Sequence, residues 1–171
     1  VSTGYKAVVP EPARVGVKNF FYNIAFPVRL VNSLLQGKIE GAANEFGRFM
    51  VNSVFGLAGF LDVIPEESAM KRREEDLGQT LGSYGLGPGF YIHWPFFGPS
   101  SLRDTFGMIG DGFMDPTNYL IPHVEYNIAT KAYDRVNVTS LRIGDYESLK
   151  DAALDPYVAL RDAYYQNRRS R

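Results

Sequence analysis

Apolar residues recur at helical spacing through the first third of the chain. Val17, Phe20, Phe21, Ile24, Val28, Val31 and Leu35 follow the i, i+3, i+4, i+7 rule, which predicts an amphipathic helix. It opens at Pro12, where a missing N–H costs nothing, and stops at Gly37. Pro27 either kinks this helix or divides it into two abutting ones. The preceding Val1 to Glu11 reads as polar and extended. A second helix is expected from Ile39 to Phe55, with Ala43, Phe46 and Met50 opposite Glu40, Asn44 and Arg48. From Phe49 to Ile64 the chain is apolar almost all round, the pattern of a helix buried on every side or embedded in lipid. Asn52, Ser53, Asp62 and Pro65 leave it short of the roughly 20 uninterrupted apolar residues that a spanning helix needs. Burial in one leaflet fits this stretch; crossing does not.

Pro65 to Asp76 carries mixed charge and reads as a solvated surface segment. Asp76 is placed to cap a short helix through Tyr84, and Phe90 to Trp94 forms at most one brief strand. Ser100 or Ser101 opens the next helix, with Ser101 and Asp104 at capping-box spacing and Leu102, Phe106, Ile109 and Phe113 along it. Val124, Ile128, Ala132 and Val136 mark a longer helix from near His123, ending somewhere in Thr139 to Gly144. Tyr146 to Leu154 and Pro156 to Asn167 read as two helices or one kinked helix, with Asp155 as N-cap and Pro156 at the first helical position. The expected architecture is all-α with little or no strand, in one domain covering residues 1–171.

Composition narrows the chemistry. A chain of 171 residues fits one body with a sizeable core, and 18 basic against 19 acidic residues give no field for gathering nucleic acid. Without cysteine there is no disulfide, thiolate nucleophile or cysteine metal site. The opening Val1 lacks an initiator Met and a charged n-region, so any targeting signal is expected to have been removed. His93, Ser100 or Ser101 and Asp104 are the residue types of a hydrolase triad, but no G-x-S-x-G elbow surrounds either serine. Asp104 beside Arg103 at a helix start reads better as a cap and an ion pair. His93 and His123 are the only histidines, and neither has a partner at metal-ligand spacing, so no metal or cofactor is expected. Gly85, Gly87 and Gly89 spell a nucleotide loop without the strand before it or the helix after it. The interleaved Tyr84, Phe90, Tyr91, Trp94, Phe96 and Phe97 either fill a core or face acyl chains, with Tyr and Trp favoured at headgroup level.

Five strings carry a family resemblance: VPEPARVGVKNFFYN (Val9 to Asn23), VNSLLQG (Val31 to Gly37), FGRFMVNSVFGLAGFLDV (Phe46 to Val63), GQTLGSYGLGPGFYIHWPFFGPSSLRD (Gly78 to Asp104) and DPYVALRDAYYQ (Asp155 to Gln166). In order and spacing they closely resemble the MlaA (VacJ) family; Thr117 to Asp151 carries no firm motif. The resemblance implies a lipoprotein at the inner leaflet of the Gram-negative outer membrane, on its periplasmic face. It implies a ring-like bundle of amphipathic helices lying in that leaflet around a polar-lined channel. Misplaced phospholipids would leave the outer leaflet through the channel and pass to a soluble periplasmic carrier of the MlaC type, with trimeric porins as membrane partners. The family's lipobox cysteine and the motif before this region are absent from the sequence, consistent with truncation before Val1.

Combined with the residue pattern, the resemblance makes Asn44, Arg48 and Asn52, at i, i+4, i+8, candidates to face the channel, the alternative being a stripe that faces solvent. Phe49, Val54 and Phe60 are candidates to face lipid, as are Trp94, Phe96 and Phe97 in the wall after the glycine loop. Gly85, Gly87 and Gly89 are expected to form a loop that controls passage, with no covalent step. The same greasy surface also suits a periplasmic lipid-acting hydrolase using His93 and Asp104, or a purely structural membrane-associated protein.

Overall fold

A computed structural model describes residues 1–65, 67–95, 97–144, 148 and 155–169. The expected helix Tyr146 to Leu154 and the side chain of Phe96 lie outside the described residues.

The amino terminus is not extended: Ser2–Val8 forms α1. Its sequence has no apolar stripe to announce it, and what holds it is tertiary. Tyr5 Oη donates to Asn137 Oδ1 at 3.0 Å and lies 3.0 Å from Tyr133 Oη, both far along the chain. Next come α2 (Glu11–Ile24) and α3 (Phe26–Leu35), separated only by Ala25, so Pro27 falls in the first turn of a new helix and not inside a kinked one. α3 ends in a Schellman motif, in which Gly37 at φ +72° lets Lys38 N reach Ser33 O at 2.9 Å. α4 spans Ile39–Val54. The apolar stretch then leaves the helix in a tight turn, with Leu57, Ala58 and Gly59 all in the left-handed region, so Phe49 to Ile64 is not one helix.

Asp76 caps α5 (Leu77–Ser83) by accepting from Gln79 N at 2.8 Å. The short strand β1 (Tyr91–Trp94) pairs antiparallel with β2 (Gly98–Ser101), Tyr91 opposite Ser101 and Trp94 opposite Gly98. The second strand was not expected, since GPSS has no strand signature and β2 exists through its partner. Ser101 caps α6 (Leu102–Met114) by accepting from Asp104 N. α7 (Thr117–Leu120) follows an Asx turn at Asp115, and α8 runs Val124–Leu141. α9 (Pro156–Arg169) starts from Asp155, whose carboxylate accepts from the backbone N–H groups of Tyr157 and Val158.

The helices close on themselves. α1 and α2 pack on α8, α2 on α3 and α4, α3 on α4, α5 and α6, and α5 on α6. α8 returns to the α6–α7 corner through Lys131 Nζ on Asn118 Oδ1 (2.7 Å) and Asp115 Oδ2 (3.3 Å) and through Asn127 Nδ2 on Thr117 O (2.8 Å). The expectation of a mostly helical, ring-like body with little strand therefore holds.

Its polarity is inverted. Among the described residues, glycines aside, the only buried apolar side chains are Ala42 and Ile64, while Asn32, Ser33, Glu45, Ser101 and Asn137 are at most 1% exposed. Phe46 and Met50 of α4, Phe106, Ile109 and Phe113 of α6, and Val124 and Ile128 of α8 all stand exposed. The accessible surface is 10653 Å². A compact water-soluble chain of this mass exposes about 8,400 Å². Sequence periodicity located the amphipathic faces correctly, but the apolar face points out and the polar face in.

A polar interior and its candidate lipid path

Glu45, Arg48 and Asn52 lie three and four residues apart and share the buried face of α4. From α3, Arg29 Nε reaches Glu45 Oε2 at 2.7 Å. The Tyr22 ring of α2 lies under two guanidinium groups, with Arg29 Cζ 3.6 Å and Arg72 Cζ 4.5 Å from its centroid. The Tyr22 hydroxyl donates to Arg73 O at 2.8 Å, and burial raises its pKa from the usual phenol value. One turn further on, Arg48 binds both oxygens of Asp62 at 2.6 and 2.8 Å, and Asn52 Nδ2 adds a third bond at 3.0 Å. Arg72 completes the knot, with Nε on Asp62 Oδ2 at 2.9 Å and Nη2 on Asn19 Oδ1 at 2.6 Å. Burial alone would raise the Asp62 carboxyl; the Asn52 bond and the charges of Arg72 and Arg48 outweigh it and hold the group below the ordinary carboxylate range.

The segment Pro65 to Asp76 is not simply solvated surface. Its Arg72 and Glu74 are exposed, but Glu75 is buried, accepting from Lys38 Nζ at 2.8 Å and Gln36 Nε2 at 2.9 Å. Arg48 also donates to Met70 O, so the segment is tied down along the polar face of α4. Arg72, Arg73, Glu74, Glu75 and Gln79 line a cavity of about 320 Å³. Behind it runs a hydrogen-bond chain: Gln36 to Thr80 at 3.2 Å, Thr80 to Asn32 at 2.7 Å, and Asn32 to Asp111 at 3.0 Å. Burial, with the Asp76 charge in support, pushes the Asp111 carboxyl up to about 6 against the opposing bonds from Leu77 N and Asn32.

The glycine loop sits between α5 and β1. Gly85 and Gly89 have φ of +90° and +68°, while Gly87 does not need a left-handed backbone. Arg103 fastens the loop, its Nη1 on Leu86 O and its backbone N on Pro88 O, both at 3.2 Å. Pro88, Arg103, Tyr165, Arg168 and Arg169 enclose a second cavity of about 240 Å³. Arg168 bridges Asp76 and Asp104 and so anchors α9 against the starts of α5 and α6. At Asp104, burial opposes ionisation, but bonds from Tyr164 and Arg103 and the charge of Arg168 keep its pKa low.

Of the channel candidates, Arg48 and Asn52 are buried in the Asp62 knot and Asn44 is half-buried, donating to Ala69 O at 3.4 Å. Of the lipid-facing candidates, Val54, Phe60, Trp94 and Phe97 are exposed, and half-buried Phe49 stacks on Phe26 at 3.8 Å. The triad residues are occupied separately: His93 Nδ1 is 3.4 Å from Tyr91 Oη, Ser100 Oγ is 3.2 Å from Thr105 Oγ1, and Ser101 Oγ caps α6. Asp104 has the foreseen role of ion-pair partner. The sequence reading missed Tyr22, Arg29, Glu45, Asp62 and Glu75. Their signal was present as polar residues repeating at helical spacing, but such a stripe ordinarily means solvent.

No helix among the described residues is long and apolar enough to cross a membrane. Helices closed around a polar interior, with apolar side chains turned outward, define a ring protein built to have lipid on its outside. The chain belongs to the MlaA lipoprotein family, whose model matches residues 1–171. It is 34% identical over 168 residues to the intermembrane phospholipid transport system lipoprotein MlaA of Escherichia coli K12, covering 97% of this chain and 66% of that protein. The protein of the same description from Haemophilus influenzae is 31% identical over 170 residues, with 96% and 66% covered. The chain thus spans about two thirds of the length of these relatives. A solved structure from work on the structural basis for maintenance of bacterial outer membrane lipid asymmetry superposes with a TM-score of 0.75 at 29% identity, covering 98% of this chain and 83% of that one.

Proposed function

We propose that this chain conducts phospholipids: a ring held in the inner leaflet of the outer membrane, on its periplasmic face, takes mislocalised phospholipids from the outer leaflet and passes them to a soluble carrier of the MlaC type. A trimeric porin is its membrane partner. The observation that carries the reading is the inverted polarity, with Glu45, Arg48 and Asn32 buried while Phe46, Phe106 and Ile128 stand exposed. A phospholipid needs a polar track for its head and an apolar flank for its tails, and a ring of this polarity supplies both. No bond is made or broken, so no cofactor is required. Relatives described as intermembrane phospholipid transport lipoproteins support the same reading.

Within this scheme Asn44, Arg48 and Asn52 belong to the polar track, and Val54, Phe60, Trp94 and Phe97 to the lipid-facing flank. The loop holding Gly85, Gly87 and Gly89 sets whether the track is open. Positive φ at Gly85 and Gly89 and the Arg103 contacts at Leu86 and Pro88 support this role. A Gly85→Val variant has open space for its side chain but a strained backbone, so it biases the loop without disturbing neighbours. Transfer of fluorescent phospholipid from proteoliposomes to the carrier should slow in Gly85→Val and change less in Gly87→Ala, where φ is ordinary. Unchanged transfer by a folded Gly85→Val protein overturns the loop's role.

A further inference from the structure

The cavity beside α5 carries both signs of charge on one wall. Arg72 and Arg73 bring guanidinium groups to it and Glu74 a carboxylate, while Glu75, neutralised by Lys38, and Gln79 complete the lining. Gln79 is 91% buried, its Nε2 donates to Glu74 O at 2.7 Å, and its Oε1 accepts no hydrogen bond in the structure. A buried amide oxygen without a donor is costly, and a ligand N–H would relieve it. Arg72 uses two of its N–H groups on Asp62 and Asn19, leaving the rest of its fork for an anion. The segment is pinned from beneath by Tyr22 on Arg73 O, so these groups keep their spacing. The lining's formal charge cancels, so a purely anionic ligand gains little there and one with both signs is matched.

We propose that this cavity seats the headgroup of a zwitterionic phospholipid, its phosphate on Arg72 and Arg73 and its ammonium on Glu74 and the Gln79 carbonyl. The inference rests on the lipid-conduit reading and adds a headgroup preference to it. The exposed apolar side chains across α4, Phe46 and Met50, leave the acyl chains a path outside the polar wall.

The test uses the protein reconstituted in vesicles of equimolar phosphatidylethanolamine and phosphatidylglycerol, extracted in mild detergent, with retained lipid quantified by mass spectrometry. The native protein should retain phosphatidylethanolamine over phosphatidylglycerol by about threefold or more. Glu74→Lys, at an exposed side chain, should bring the ratio to unity or reverse it, and Arg73→Gln should lower retention of both lipids. Circular dichroism checks that each variant is folded, and Glu74→Gln, expected to lower the ratio less steeply, stands in if the lysine does not fold. Native retention at the input ratio, or an unmoved ratio in the folded Glu74 variant, overturns the headgroup preference alone. Retention of no lipid at all overturns the conduit reading with it.

Discussion

Buried charge in this protein is organised in pairs and knots, and single residues in them have large, specific effects. Arg29 with Glu45, and Arg48 with Asp62, satisfy one another where isolated ions would be prohibitive, and the exposed Arg72 adds a second cation on Asp62. Two groups depart from this: Arg14 bonds only Val9 O, Ser140 O and Ser140 Oγ, and Asp111 accepts from Asn32 and Leu77, forms no ion pair among the described residues and is pushed up to about 6. The folded-state pKa of Asp111 lies above the unfolded one, so folding favours the protonated form. Stability from this group is full at low pH and is lost as pH rises through about 4 to 6. Asp111→Asn stays neutral and keeps an oxygen for both donors. It should flatten this dependence and exceed the native protein above pH 6 by roughly 1–2 kcal/mol, allowing for partial solvent screening. Urea unfolding in detergent micelles at a series of pH values checks it; a constant difference across the series contradicts it.

At the scale of elements, the question is what holds helices together when their apolar sides face outward. Little hydrophobic force acts between helices whose outer faces prefer lipid, so close backbone approach and hydrogen bonds must serve instead. α5 and α6 meet through glycine: a Cβ on Gly107 would stand 2.4 Å from Gly78 N and 2.8 Å from Gly78 Cα, both backbone atoms that cannot yield. Gly107→Ala should therefore destabilise the protein by about 1–3 kcal/mol. Gly112→Ala on the same helix, where nothing but Asn118 Nδ2 at 3.9 Å comes near, should be neutral or stabilising by up to about 1 kcal/mol. Thermal unfolding of the two variants side by side gives the comparison, and equal losses would contradict glycine-mediated packing. These elements were largely legible beforehand, because caps and periodicity are local. Asp76, Ser101 and Asp155 start their helices as read, and Gly37 stops α3. α1 and β2 were not legible, since each is made by its partner and not by a pattern of its own: Tyr133 and Asn137, far along the chain, for α1, and the neighbouring β1 for β2.

For the whole molecule, local pattern was insufficient in a different way. Periodicity says that a helix has two faces and is silent on which solvent each prefers. Phe46 and Met50 formed a visible stripe, as did Arg48 with Asn52, but the assignment of the polar stripe depends on whether water or hydrocarbon surrounds the ring. Burial of Glu45, Asn32 and Asn137 with exposure of Phe106 and Ile128 decides it here. The segment Pro65 to Asp76 misled for the same reason, because charged residues inside an inverted ring look like surface in sequence. In the proposed conduit the outer faces of α4, α6 and α8 contact acyl chains while the wall around Glu74 contacts water. Because the chain has no cysteine, Phe46→Cys, Phe106→Cys, Ile128→Cys and Glu74→Cys can each carry a single spin label in phospholipid bilayers. Labels at the first three positions should be relaxed by oxygen and protected from a water-soluble nickel chelate, and the label at Glu74 should behave in the opposite way. Nickel accessibility at Phe46, Phe106 and Ile128 equal to that at Glu74 would contradict a ring with lipid on its outside.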